Sequence, residues 1–212
     1  MRPDGTRVRD LTAIMQALPY VMPKRYDAQN WAEENLDEDA IRDYIRAKRR
    51  EGRSVTHMSL LVSAYYRAVL KNPKINYFVM NRRIYKRNHF CFSFVILKTR
   101  ADGTPDETSL KVYLEPEDTV FTVTEKIRST IEKNQNVRHN NDTDRFAKFV
   151  FGVPGLARAV FALAGFLDRH DLLPRSIIEL SPFHTSLFVT NLASINTPVS
   201  YTHLTLPTNS RV

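Results

Sequence analysis

Cysteine is nearly absent from this sequence: its 212 residues contain one, Cys91, inside an apolar run. A single thiol forms no internal disulfide and builds no cysteine zinc site. Cys91 therefore reads as a small core hydrophobe, in keeping with a reducing, cytoplasmic setting. The opening M-R-P-D-G-T-R has none of the apolar run of a secretory signal. Also missing are G-x-G-x-x-G, the P-loop, G-x-S-x-G and H-E-x-x-H. Their absence removes the usual sequence signs of dinucleotide binding, nucleotide hydrolysis, serine hydrolysis and zinc proteolysis. No metal is expected.

What is present suits one packed core. The chain is 42% hydrophobic and 25% charged, which argues against global disorder and for a single domain over residues 1–198. Its net charge is +8, supplied largely by R-A-K-R-R-E-G-R at 46–53 and N-R-R-I-Y-K-R-N-H at 81–89. These clusters read first as solvated faces of a helix and a hairpin, second as holders of coenzyme phosphates. Nucleic acid comes last, because no recognition motif or interleaved aromatic platform accompanies them.

Periodicity lays out the elements. D-L-T-A-I-M-Q-A-L has weak helical spacing that Pro19 should stop. Met22 to Asn35 reads as extended and half-exposed. Asp37 caps a helix over 37–50, with Ile41, Tyr44 and Ile45 on one face and Gly52 as its stop. Thr56 caps an apolar helix carrying Met58, Leu61, Val62, Tyr65 and Val69, ended by Asn72-Pro73. A strand over 75–79, a turn at Asn81-Arg82 and a short strand at Ile84-Tyr85 lead to F-C-F-S-F-V-I-L at 90–97. That run suits a central strand buried on both faces, Phe92, Phe94 and Ile96 on one and Cys91, Ser93, Val95 and Leu97 on the other. A turn at 101–106, a strand at 108–114 and a solvated acidic turn through Glu115, Glu117 and Asp118 follow. Thr122 and Glu125 have capping-box spacing for a helix to about Gln135. Residues 136–144 read as a loop.

The segment 146–167 is apolar enough to approach a membrane span, but G-V-P-G at 152–155 breaks it and Arg158 sits inside it. Two short helices are expected there, within an insertion at 144–170, and no integral membrane segment. Leu187 to Thr190 has strand composition. Residues 199–212 change character, and we read them as a non-native tail.

Two stretches carry a resemblance. Residues 55–76, V-T-H-M-S-L-L-V-S-A-Y-Y-R-A-V-L-K-N-P-K-I-N, are similar to the V-S-x-N-D-F-x-x-K-A-x-A-x-A-L-K-x-x-P-x-x-N stretch of 2-oxo-acid dehydrogenase acyltransferase catalytic domains. Residues 184–195, H-T-S-L-F-V-T-N-L-A-S-I, resemble the same family's T-F-T-I-S-N-L-G-S-x-G, departing at Ala193 and Asn196. The series covers roughly 22–135 and 174–195. The resemblance implies an α/β fold of the chloramphenicol acetyltransferase type, a two-layer sandwich with a mixed β-sheet covered by helices. It implies acyl-coenzyme A as substrate, a thiol or hydroxyl acceptor and a homo-trimer. It also implies that Thr190 donates a hydrogen bond to the oxyanion of the tetrahedral intermediate. Read without the resemblance, Thr190 ends an ordinary strand and its hydroxyl bonds its own backbone.

The family's general base, the histidine of H-x-x-x-D-G, has no match. His57, His89, His139, His170, His184 and His203 all lack the aspartate and glycine at that spacing. His184 stands six residues before Thr190, about 20 Å along a strand, too far to share its site. The chain as written is therefore expected to show no turnover. Two alternatives stand beside the enzyme: a non-catalytic assembly scaffold of the same fold and, further off, a basic nucleic-acid-binding protein.

Overall fold

A computed structural model describes residues 2–34, 36–99, 105–135 and 152–190. Its centre is β4 (Phe90–Thr99), the apolar run singled out above, which pairs antiparallel with β5 (Pro105–Leu114) from Phe90↔Leu114 to Thr99↔Pro105. On its other edge β6 (Leu187–Val189) runs parallel, with Phe92 opposite Leu187 and Phe94 opposite Val189. The sheet order is β5-β4-β6, so the sheet is mixed and β4 has no free edge along the paired stretch.

Side-chain alternation decides what lies on each face. Phe90, Phe92, Phe94, Leu110, Val112, Leu114 and Val189 form one core with Val62, Tyr66 and Val69 of α3 (His57–Lys71) and Val123 and Ile127 of α4 (Val120–Gln135). On the opposite face Cys91 and Ser93 are fully buried beneath the chain at 181–186. Ser186 N–H donates to the Cys91 carbonyl at 2.9 Å, and Lys111 Nζ donates to the Ile178 and His184 carbonyls. Burial of this face stops there: Val95 is 41% exposed, against the expectation of a strand covered on both sides. The Leu97 side chain lies outside the described residues.

The hairpin belongs to a second sheet. β2 (Tyr77–Met80) and β3 (Arg83–Arg87) pair antiparallel, and β1 (Gly5–Arg7) takes the outer edge of β3, giving the order β1-β3-β2. β3 thus never pairs with β4, because the N-terminal strand occupies its remaining edge. The two-residue loop holds Asn81 and Arg82 at φ 48° and 58°, as a tight primed turn requires. Together the two sheets and their helices make a mixed α/β fold.

Four local features depart from expectation. α1 (Ala13–Val21) runs through Pro19, which is the residue it buries; the missing amide bond is offset by packing that ring. Met22 to Asn35 forms no strand where it is described, only a 3₁₀ turn at Arg25–Ala28 among exposed residues, since it has too few apolar side chains to hold a sheet edge. Another 3₁₀ turn, Pro73–Asn76, delays the start of β2. α4 is capped by Thr119, not Thr122. The two form a reciprocal pair, Thr119 N–H to Thr122 Oγ1 at 2.8 Å and Thr122 N–H to Thr119 Oγ1 at 3.3 Å. The acidic turn before it is more structured than expected: Asp118 accepts from Lys126 at 2.6 Å.

Beyond G-V-P-G, α5 (Leu156–Arg169) begins after Gly155 at φ 84° and contains no buried residue. α6 (Arg175–Leu180) follows. The first part of 146–167, the loop 136–144, most of the turn at 101–106, Ala193, Asn196 and the tail 199–212 lie outside the described residues. Among the described residues, no helix is long and apolar enough to cross a membrane.

Candidate functional site

α2 (Glu38–Arg50) and α3 both line a groove that the end of β6 reaches. α2 starts at Asp37, whose carboxylate accepts from the Asp39 and Ala40 amides, and it ends before Gly52 at φ 77°. Its sparse apolar residues divide: Ile45 is buried, while Ile41 and Tyr44 face a groove. α3 is fixed at its first turn. Thr56 and Ser59 cap each other, with Ser59 N–H on Thr56 Oγ1 at 3.1 Å, and Thr124 Oγ1 of α4 donates to Ser59 Oγ at 2.8 Å. This anchoring sets His57, Met58 and Leu61 on the groove wall.

The groove has a volume of about 590 Å³, within the range of small-ligand sites. Leu36, Ile41, Tyr44, Met58 and Leu61 make it mostly apolar, and Val189 and Thr190 also line it. Thr190 is exposed, and its hydroxyl bonds no described residue, its own backbone included. An unengaged hydroxyl on a residue that lines an apolar groove can donate to an oxygen that develops negative charge there.

The groove also holds His57, which motif reasoning passed over because no aspartate and glycine follow it. Its only sequence signal was its place directly after the Thr56 cap, which puts it on the first turn of a helix whose apolar face is wide. His184, the histidine nearest Thr190 in sequence, is elsewhere: its Nε2 lies 3.3 Å from Asp168 Oδ2, and its Nδ1 is buried with no partner.

Those contacts belong to a buried ionic cluster. Arg2, with a side chain 1% exposed, reaches Asp4 at 2.6 Å and Asp168 at 2.8 Å, and Arg87 reaches Asp4 at 3.4 Å. Burial would raise the Asp168 pKa, but the His184 hydrogen bond and the Arg2 charge outweigh it and hold the carboxyl below its usual range. Burial pushes the Arg87 pKa down and the Cys91 thiol up, so Cys91 is no poised nucleophile. Every member of the cluster is matched to another, as in a structural clamp. Among the described residues, no group of three His, Cys, Asp or Glu side chains could hold a metal ion.

A second cleft, of about 530 Å³, lies between α1 and the β2–β3 turn. Arg7, Arg9, Arg82 and Arg83 line it. The basic run at 81–89 is therefore split: Arg82 and Arg83 reach this cleft, while Arg87 is buried in the ionic clamp.

No known protein family and no curated protein matches this chain. Among solved structures it is similar to a protein described as a probable dihydrolipoamide acetyltransferase from Listeria monocytogenes 4b F2365. The identity is 15%, the match covers 92% of this chain and 68% of that one, and the TM-score is 0.41. At that score the likeness adds nothing to the functional reasoning.

Proposed function

We propose that the groove at the end of β6 is an acyl-thioester site. The chain is then a coenzyme A-dependent acyltransferase domain of the 2-oxo-acid dehydrogenase kind, built on a chloramphenicol acetyltransferase-like sandwich. The observation that carries the reading is Thr190, its hydroxyl unengaged, in the lining of a groove it shares with Ile41, Met58 and Leu61. The acceptor's sulfur or oxygen attacks the thioester carbonyl and gives its proton to a base. The oxyanion takes a hydrogen bond from Thr190, and the carbon–sulfur bond breaks to release coenzyme A. The acyl chain lies in the apolar groove. An H-x-x-x-D-G base is missing from the sequence, and His57 is the histidine on the groove wall.

Acyl-chain length tests this. Each buried methylene is worth about 0.8 kcal/mol, so affinity should rise roughly fourfold per carbon from acetyl- to hexanoyl-coenzyme A. Leu61→Asp, at a position 49% exposed, should abolish the gradient without unfolding α3. Thr190→Ala should leave affinity nearly unchanged. Equal affinity for all chain lengths sinks the proposal. Release of free thiol with a dithiol acceptor should stay at background; turnover lost on His57→Ala would instead assign the base to His57.

The scaffold reading has its own support. Leu180 and Phe183 are 85% and 80% exposed, and Leu163 and Phe166 of α5 are also exposed. Apolar side chains exposed to this degree favour a covering subunit. A homo-trimer would serve both readings.

A further inference from the structure

We propose that the cleft between α1 and the β2–β3 turn binds a nucleoside diphosphate group, either a free nucleotide or the nucleotide head of a larger cofactor. This site is separate from the apolar groove and stands whether or not the groove handles acyl groups.

Three observations meet here. First, Arg7, Arg9, Arg82 and Arg83 converge on one cleft with no carboxylate in its lining. None of the four pairs with a described carboxylate; Arg83 reaches only the Tyr85 hydroxyl, and Arg82 stacks over the Tyr20 ring at 5.3 Å. The nearest acids sit to either side. Asp10 follows Arg9 on the exposed chain, and Asp171 is tied to Tyr85 and Arg2. Some arginines of this protein are matched, as Arg2 and Arg87 are with Asp4 and Arg42 is with Glu38; what sets these four apart is that they share one cleft. Four unmatched guanidiniums repel one another and are relieved by a clustered anion, which their planar donor forks grip two bonds at a time.

Second, part of the lining is apolar. Leu11, Pro19 and Ile84 line the cleft beside the arginines, with Gln16 and Tyr20. A free phosphate has no use for such residues, whereas a planar base does. A volume of about 530 Å³ accommodates a nucleotide.

Third, the tight turn carries a charge at a position where the backbone is left-handed. Arg82 is held at φ 58°, where glycine or asparagine would be easier. That backbone directs the Arg82 side chain back over Tyr20 and α1.

The test is calorimetric titration with ADP, pyrophosphate and adenosine at two salt concentrations. ADP should bind most tightly, pyrophosphate more weakly and adenosine barely, with ADP affinity falling as salt rises. Arg82→Asn keeps a residue that accepts the left-handed backbone, and Arg83→Gln sits on an exposed strand end. The double variant should melt like the parent and bind ADP at least tenfold more weakly. Arg49→Gln with Arg50→Gln, on the distant α2 cluster, should leave ADP affinity unchanged. Displacement of ADP by acetyl-coenzyme A identifies the occupant as a cofactor head; failure of displacement identifies a free nucleotide. The proposal is overturned if millimolar ADP does not bind, if adenosine binds as well as ADP, or if the α2 variant weakens binding equally. Single-stranded RNA that binds the cleft and cannot be displaced by ADP overturns it too.

Discussion

Asp168 shows how much one carboxylate can carry. Its Oδ1 lies 2.8 Å from Arg2 Nη2, an ion contact set off the N–H axis, and its Oδ2 meets His184. Its pKa is lower folded than unfolded, so its stabilisation is complete above the unfolded value of about 3.9 and is lost as pH falls through the folded value. Asp168→Asn should therefore lower stability at pH 7 and flatten the acid limb of a plot of unfolding free energy against pH. Urea titrations between about pH 2 and pH 7 read both effects. Parallel acid limbs in parent and variant would show that the clamp draws its strength from Asp4 alone.

At the scale of elements, capping separates what residue spacing suggests from what the backbone does. T-V-T-E places a capping box at Thr122 and Glu125, yet the helix begins three residues earlier, after Thr119. Asp118 holds the Glu115 amide at 2.7 Å and Lys126 at 2.6 Å, which stops the acidic turn at Thr119. Thr119→Ala should cost about 1 kcal/mol, a typical capping loss. Glu125→Ala should stay within about 0.5 kcal/mol, as an exposed surface change does. Equal losses in chemical denaturation would return the cap to Thr122. The caps at Asp37 and Thr56 lie where spacing placed them, because a polar cap directly before an apolar period leaves the chain one way to begin the helix.

At the scale of the molecule, exposed apolar surface is the main unanswered demand. α5 buries none of its residues, and Leu180 and Phe183 stand nearly bare. If the trimer proposed above covers this face, the protein should sediment as a trimer at micromolar concentration. Leu180→Asp should shift it toward monomer while its circular dichroism stays unchanged. A monomeric parent would remove the trimer from the proposal and leave the groove and cleft as they are.

Periodicity and composition were enough to place β4 at the centre with its alternating faces, the caps of α2 and α3, and Cys91 as an inert core thiol. Each depends on local order along the chain, and local order is written in neighbouring residues. Thr190 was singled out by the family resemblance and not by periodicity, and neither told the company it keeps. Only the tertiary structure set β3 against β1 instead of β4, buried Arg2 against Asp168, brought His57 to the same groove as Thr190, and gathered Arg7 and Arg9 with Arg82 and Arg83. These pairings join positions far apart in sequence. Spacing cannot reveal them, because they depend on which sheet edge is free and which face is already covered once the core has packed.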